Sequence, residues 1–378
     1  MTKILTLTGL LALLVSIGSC RRSGTSATSP AAEGDTITHN ASLLTIVDYG
    51  DYTLVDVTNP WDTSSLLQRY ILIPRDNASD NHRASFPEGI QITVPLRSSL
   101  VYSSVHAAAI KDIGAVGAIT GVCDAGYYKI PEILSGISAG RIADAGQSMS
   151  PSIEKIMALE PEAILTSPFQ NAGHGAITQL GIPIIECADY MESTPLGRAE
   201  WIKLYGELYG NRNAADSIFR EVSARYESIR QCVSQVTYKP TVISEMVTDG
   251  VWYMPGGHSY MAGMFKDAGA CYPWSENTST GSLQLDFATV YEHASDADIW
   301  LIKTFGRDLT LDELRSSYPL HARMSAFSHG GVYACNTSST TFFEDFPFHP
   351  DLLLAEYVNL FHPGLLPDST LIYFRQVK

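Results

Sequence analysis

The residue types that most often carry chemistry are present in this chain but in no catalytic or metal-ligating spacing. Ten histidines stand singly between His39 and His362, with no HExxH pair. Beyond Cys20, the cysteines Cys123, Cys187, Cys232, Cys271 and Cys335 are 39 to 64 residues apart, whereas a zinc knuckle or a redox dithiol needs pairs within a few residues. Most of these cysteines therefore read as small buried hydrophobes, with one unassigned disulfide left open. A nucleophile elbow of the GxSxG type is missing. The glycine-rich strings GRIADAG (140–146) and GGHS (256–259) lack the spacing that cradles a phosphate. An exported enzyme of unrecognised type is the alternative to a binding protein. No metal site and no resident cofactor are expected.

Composition narrows the partners. Hydrophobic residues make up 45% of 378 and charged residues 17%, so the chain is neither disordered nor a coiled coil. Twenty-five basic residues against 40 acidic ones give a net charge of -15, which repels phosphate backbones and excludes nucleic acid. Residues 4–18 form the one long apolar run, too short for a comfortable span of roughly 20 residues. A basic Lys3 before it and the small residues closing on Ile17-Gly18-Ser19-Cys20 describe a signal peptide over 1–19. Those last four residues resemble a bacterial lipobox, in which the cysteine becomes the lipidated first residue. The Ser/Gly/Ala-rich stretch after Cys20 reads as a flexible tether over 20–40.

The folded part begins with strands. SLLTIVDYGDYTLVDVT carries a hairpin signal at Gly50-Asp51, and QRYILIPR and GIQITVPL follow, with Pro87-Glu88-Gly89 as a turn between neighbours. These hairpins at 41–88 read as a surface-covering addition to the first lobe. From about residue 97 strands alternate with helices: SSVHAAAIKDIGA, a helix ending near Gly114; AITGVCD, a strand; a Ser150-capped helix with Pro151 at its first position; then the strand 163–167. Two helical segments over 196–236 interrupt the rhythm. In the second, Ala215, Ile218, Phe219, Val222, Tyr226 and Ile229 share one apolar face. A helix of that length, about 24 residues or roughly 36 Å, can connect two bodies. Strand and helix then alternate again through 237–378. The class is α/β, with two Rossmann-like lobes over 41–195 and 237–378, each a sheet flanked by helices, joined by one long rigid helix.

Three strings make the chain resemble the substrate-binding proteins of ABC importers for cobalamin, ferric siderophores and haem. They are PLRSSLVYSSVHAAAIKDIGAVGAITGVCD, GRIADAGQSMSPSIEKIMALEPEAIL and, after the long helix, GGHSYMAGMFKDAGA. The resemblance spans about residues 90–362 and implies a monomeric, lipid-anchored, periplasm-facing protein of a bacterial cell envelope. Its partners would be an ABC permease with its ATPase, a small metal chelate and, through Cys20, the membrane. The cargo implied is a ferric siderophore, with cobalamin or haem as alternatives.

The resemblance also implies a ligand between the lobes. From the first lobe it would meet Arg97, Ser99, Tyr102, Tyr127, Tyr128 and Phe169; from the second, Trp252, Tyr253, His258, Arg307 and Phe343. Aromatic rings suit a large, flat, partly apolar chelate, and Arg97 or Arg307 would pair with an anionic one. In the family, one Glu on each lobe docks onto arginines of the permease. The match in the first lobe is Glu154, expected to face solvent while Ile153, Ile156 and Met157 face inward. In the second lobe no Glu occupies the matching place near Ala288, and Asp286 is the nearest substitute.

Overall fold

The computed structural model describes residues 34–77, 86–367 and 370–378. The signal segment and Cys20 lie outside the described residues. Of the tether expected over 20–40, Asp35 and Thr36 form β1 (Asp35–Thr36), and its part before residue 34 lies outside the described residues.

β1 pairs antiparallel with β2 (Leu44–Asp48), which turns at Gly50 (φ 82°) into β3 (Thr53–Thr58) and on to β4 (Leu66–Pro74). Alternation works as period-two patterning requires, with Thr53, Val55 and Val57 buried along β3. β5 (Ile90–Val94) lies parallel to β4, so Pro87-Glu88-Gly89 closes no hairpin. The sheet order is β1-β2-β3-β4-β5. Leu44, Ile46, Val55, Val57, Tyr70 and Ile92 share one hydrophobic core with the helices and strands that follow. The sheet is thus built into the first lobe, a correction to its reading as a surface cover.

The next stretch contains β6 (Ser99–Val101), α1 (Ser104–Asp112), β7 (Ile119–Val122), α2 (Pro131–Ser138) and β8 (Ala143–Asp144). A short hairpin, β9 (Gly146–Gln147) with β10 (Ser150–Pro151), precedes α3 (Ile153–Leu159), β11 (Ala163–Thr166) and β12 (Ile184–Glu186). Five of these strands form a parallel sheet in the order β12-β11-β6-β7-β8. The cap of α3 is Ser152, whose hydroxyl accepts from Lys155 N–H, because Ser150 and Pro151 are consumed by the hairpin.

Helices α4 (Pro195–Glu200) and α5 (Ile202–Tyr209) were expected to belong to the connector. Instead Trp201, Ile202, Leu204, Tyr205 and Leu208 are packed in the first core. The long α6 (Arg212–Val233) bridges the two cores, and at 22 residues it is about 33 Å long. Its apolar stripe changes partner along its length: Ala215, Phe219 and Val222 join the first core, Tyr226 and Val233 the second.

The second lobe runs through β13 (Val242–Ser244), β14 (Val247–Thr248), β15 (Val251–Pro255), α7 (Tyr260–Asp267), β16 (Ser282–Leu285), α8 (Phe287–Ala294) and β17 (Ile299–Thr304). It continues through α9 (Leu311–Ser317), α10 (Ser325–His329), β18 (Val332–Asn336), α11 (Phe342–Asp345), α12 (Pro350–Phe361) and β19 (Arg375–Gln376). One sheet has the order β13-β17-β18-β19, parallel except at its last strand; β14-β15-β16 is a separate antiparallel meander. Gly256 and Gly257 occur where backbone passes backbone: a Cβ on either would fall within 2.6 Å of loop carbonyls at 274–281. A second strap complements α6, since Phe348, just before α12, is buried in the first core against Tyr205.

Candidate functional site

In an open α/β sheet a ligand collects at the carboxyl ends of the strands, where the strand order reverses. In the first lobe that point lies between β6 and β11. The chain leaves β6 through Tyr102 and Ser103, the N-cap of α1, and leaves β11 through Ser167 and Phe169. These loops wall a hollow of about 280 Å³ lined by Tyr102, Ser103, Asp124, Tyr127, Tyr128 and Phe169. Tyr128 donates to Val101 C=O at 3.0 Å and is buried. Cys123 lies behind this wall, and burial, reinforced by Asp124 and Asp144, pushes its thiol up to about 12. It remains a neutral thiol, a packing residue and not a nucleophile.

A larger cavity, of about 450 Å³, opens between the lobes. Tyr190 and Arg198 line it from the first lobe; Glu245, Tyr253, Tyr260 and Lys303 from the second. Phe346, from the strap before α12, completes the wall. Tyr190 joins the two spaces, its ring centroid 6.4 Å from that of Phe169 and its hydroxyl donating to Pro168 C=O. The exposed rings of Tyr127, from the smaller hollow, and Phe305, from the second lobe, meet with centroids 5.9 Å apart.

Both basic groups in this cavity are neutralised. Lys303 Nζ is ion-paired with Glu245, which sits just past β13 in the left-handed region (φ 60°). Arg198 Nε donates to buried Asp189 at 3.1 Å, and its guanidinium covers the rings of Tyr260 and Phe346, 5.8 and 5.3 Å from their centroids. Burial by itself would raise the Asp189 pKa; Arg198 and His106 outweigh it and keep the carboxylate below its ordinary range.

The expected ligand residues divide. Tyr102, Tyr127, Tyr128 and Phe169 come together in the smaller hollow, and Tyr253 lines the larger cavity. Phe343 is exposed beside Phe346, with their centroids 6.2 Å apart. Arg97 and Ser99 are at the wrong end of the sheet. Both mark the amino end of β6, where Arg97 N–H bonds Glu162 and the fully buried Ser99 hydroxyl links Ala118 C=O to Tyr209. Trp252 is wholly buried, donates to Ser244 C=O and packs on Trp300, so it is a core residue. His258 is exposed outside the cavity lining, its backbone bonded to Ser279. Arg307 is two-thirds exposed and paired with Glu313.

Tyr190, Arg198, Glu245 and Tyr260 escaped the sequence reading. Tyr190 and Glu245 follow strand ends, the same rule that pointed to Tyr102. On the outer surfaces, Glu154 is exposed in the first turn of α3, but so is Met157, at 59%, against the inward orientation expected for it. Asp286 N-caps α8, accepting Thr289 N–H at 2.7 Å. Among the described residues, Cys123, Cys187 and Cys335 are buried thiols and Cys232 and Cys271 exposed ones; none forms a disulfide. Among the described residues no three or more His, Cys, Asp or Glu side chains cluster as metal ligands would.

Comparisons with known proteins agree with this architecture. An uncharacterized lipoprotein of Methanocaldococcus jannaschii is 27% identical, over 72% of this chain and 66% of its own; a second from the same organism is 26% identical, over 66% and 65%. The chain thus spans just under two thirds of the length of these relatives. The fold is similar to that of a periplasmic haem-binding protein from Pseudomonas aeruginosa (TM-score 0.58, 15% identity, covering 75% of this chain and 98% of that one). It is likewise similar to a possible iron-binding periplasmic protein from Staphylococcus epidermidis (TM-score 0.57, 14% identity, 70% and 98%). The family model for periplasmic binding proteins matches residues 106–338, from α1 of the first lobe to the loop after β18, and this chain belongs to that family.

Proposed function

We propose that this protein is the substrate-binding component of an ABC importer, that it captures a metal chelate between its lobes, with a ferric siderophore first among the candidates, and that it delivers the chelate to a membrane permease and its ATPase. One observation carries the reading: aromatic rings from both lobes, Tyr190 from the first and Tyr253 and Tyr260 from the second, line one cavity between them. Rings with polar edges contact a flat, partly apolar complex over a large area at little entropic cost. Membership of the periplasmic binding protein family supports the role. Acylation at Cys20 would hold the protein in the cell envelope, and Glu154, exposed at the start of α3, would be its docking acid toward the permease.

The test is direct loading. Purified protein is incubated separately with a ferric trihydroxamate, a ferric tricatecholate, cyanocobalamin and haemin, then desalted and scanned for absorbance. One chelate co-eluting at about one per chain is the expected result. Absorbance spectra without any chelate would overturn the proposal.

A further inference from the structure

Resting on that cleft reading, we propose that the cargo carries no net negative charge: the site selects a neutral or cationic metal chelate. The bases lining the cavity are Arg198 and Lys303. Arg198 is held by Asp189, buried to 1% exposure, and its flat face is spent on the rings of Tyr260 and Phe346. Lys303 is held by Glu245.

Two further acids face the cleft. Glu192 lines the larger cavity with its oxygens already engaged by Ser42, Leu43 and the Trp201 indole, and Asp124 lines the smaller hollow. Across the two spaces three lining acids, Glu192, Glu245 and Asp124, with Asp189 buried behind Arg198, stand against two bases. The arginines that would greet an anion are elsewhere, Arg97 at the opposite end of β6 and Arg307 on Glu313.

A polyanion entering this space meets no unpaired cation, and must break an ion pair inside a partly desolvated cleft to obtain one. It also approaches a chain of net charge -15, which slows its encounter further at low salt. A neutral or cationic complex meets neither barrier, while its apolar faces gain the same aromatic contacts. Glu245 is the residue that sets this preference, because it is the acid paired with Lys303.

The experiment compares dissociation constants, by quenching of tyrosine and tryptophan fluorescence, for four probes: a cationic ferric trihydroxamate, a neutral one, neutral cyanocobalamin and a trianionic ferric tricatecholate. The tightest neutral or cationic probe should bind at least tenfold more tightly than the trianion at low salt. In Glu245→Gln the gap should narrow several-fold through better binding of the trianion, and in Lys303→Gln it should widen. Tight binding of the trianion by the unaltered protein, in preference to the others, overturns the charge inference and leaves the cleft reading standing. Absence of binding by all four probes overturns both. An unchanged gap in both folded variants removes Glu245 as its cause and overturns the assignment.

Discussion

His349 Nε2 lies 2.9 Å from a carboxylate oxygen of Asp112, tying the start of α12 to the end of α1. Together with α6 and the burial of the neighbouring Phe348, this pair holds the lobes to each other. Burial alone would raise the Asp112 pKa, but hydrogen bonds from His349 and Lys111 outweigh it and hold the pKa below the ordinary 3.8. A carboxylate with a depressed folded-state pKa contributes stability that is present above the unfolded value and lost as pH falls through the folded one. Asp112→Asn should therefore cost about 1–2 kcal/mol at neutral pH, and the difference from the unaltered protein should shrink below about pH 4. Urea unfolding between pH 3 and pH 7 measures this; a difference independent of pH would contradict it.

These attachments also limit how far the lobes can swing. Loading should change the small-angle scattering profile only slightly, as a modest tilt about α6 does. A strong contraction on loading would show that α6 and the 342–349 strap yield.

Glu200 accepts from three successive backbone N–H groups, those of His39, Asn40 and Ala41, and Glu192 takes up those of Ser42 and Leu43. Both carboxylates are buried. Glu200→Ala strands these donors and should cost about 3 kcal/mol of stability. Chemical denaturation checks the magnitude, and limited proteolysis should show the segment around residue 40 becoming the first cut.

Tyr127 and Phe305 are exposed, so truncating either to Ala should move stability by no more than about 0.5 kcal/mol. Cargo affinity should nevertheless fall several-fold, mainly through faster release. The double variant should lose less than the two single losses combined, since either truncation already dismantles the pair. Stopped-flow release of the loaded chelate provides the readout, and additive losses would show that the rings act independently.

Glu154→Arg should leave chelate affinity unchanged and impair uptake in cells, with Glu154→Ala intermediate. Asp286→Arg is a weaker probe, because that carboxylate caps α8 and its loss also weakens the helix by about 1 kcal/mol. Normal uptake by Glu154→Arg would remove this acid from the docking surface.

Local rules made much of the molecule legible in its sequence. Ser103 before α1, Gly114 after it and the Ala215-Phe219-Val222-Tyr226 stripe of α6 depend on caps, a left-handed glycine and a 3.6-residue period, all written in neighbouring residues. The strand and helix alternation before and after α6 follows in the same way and yields two lobes.

Orientation at the site did not follow from neighbours. Tyr253 and Trp252 are adjacent in β15, yet one lines the cleft and the other lies in the core, because successive strand residues face opposite ways and only the packing of α8 and β17 decides which face is inside. Arg97 and Tyr102 flank the same strand, but the sheet gives its carboxyl end to the ligand and its amino end to Glu162. The bonds that seat the first sheet, between Glu200 and residues 39–41, span about 160 positions of sequence. The pairings that cancel the cleft's charge, Lys303 with Glu245 and Arg198 with Asp189, form only when separate strand ends and turns are brought together. The sequence by itself therefore determined the family, the two lobes and the connecting helix; which aromatic and charged groups face the cleft, and which are already paired, was decided by long-range packing in the tertiary structure.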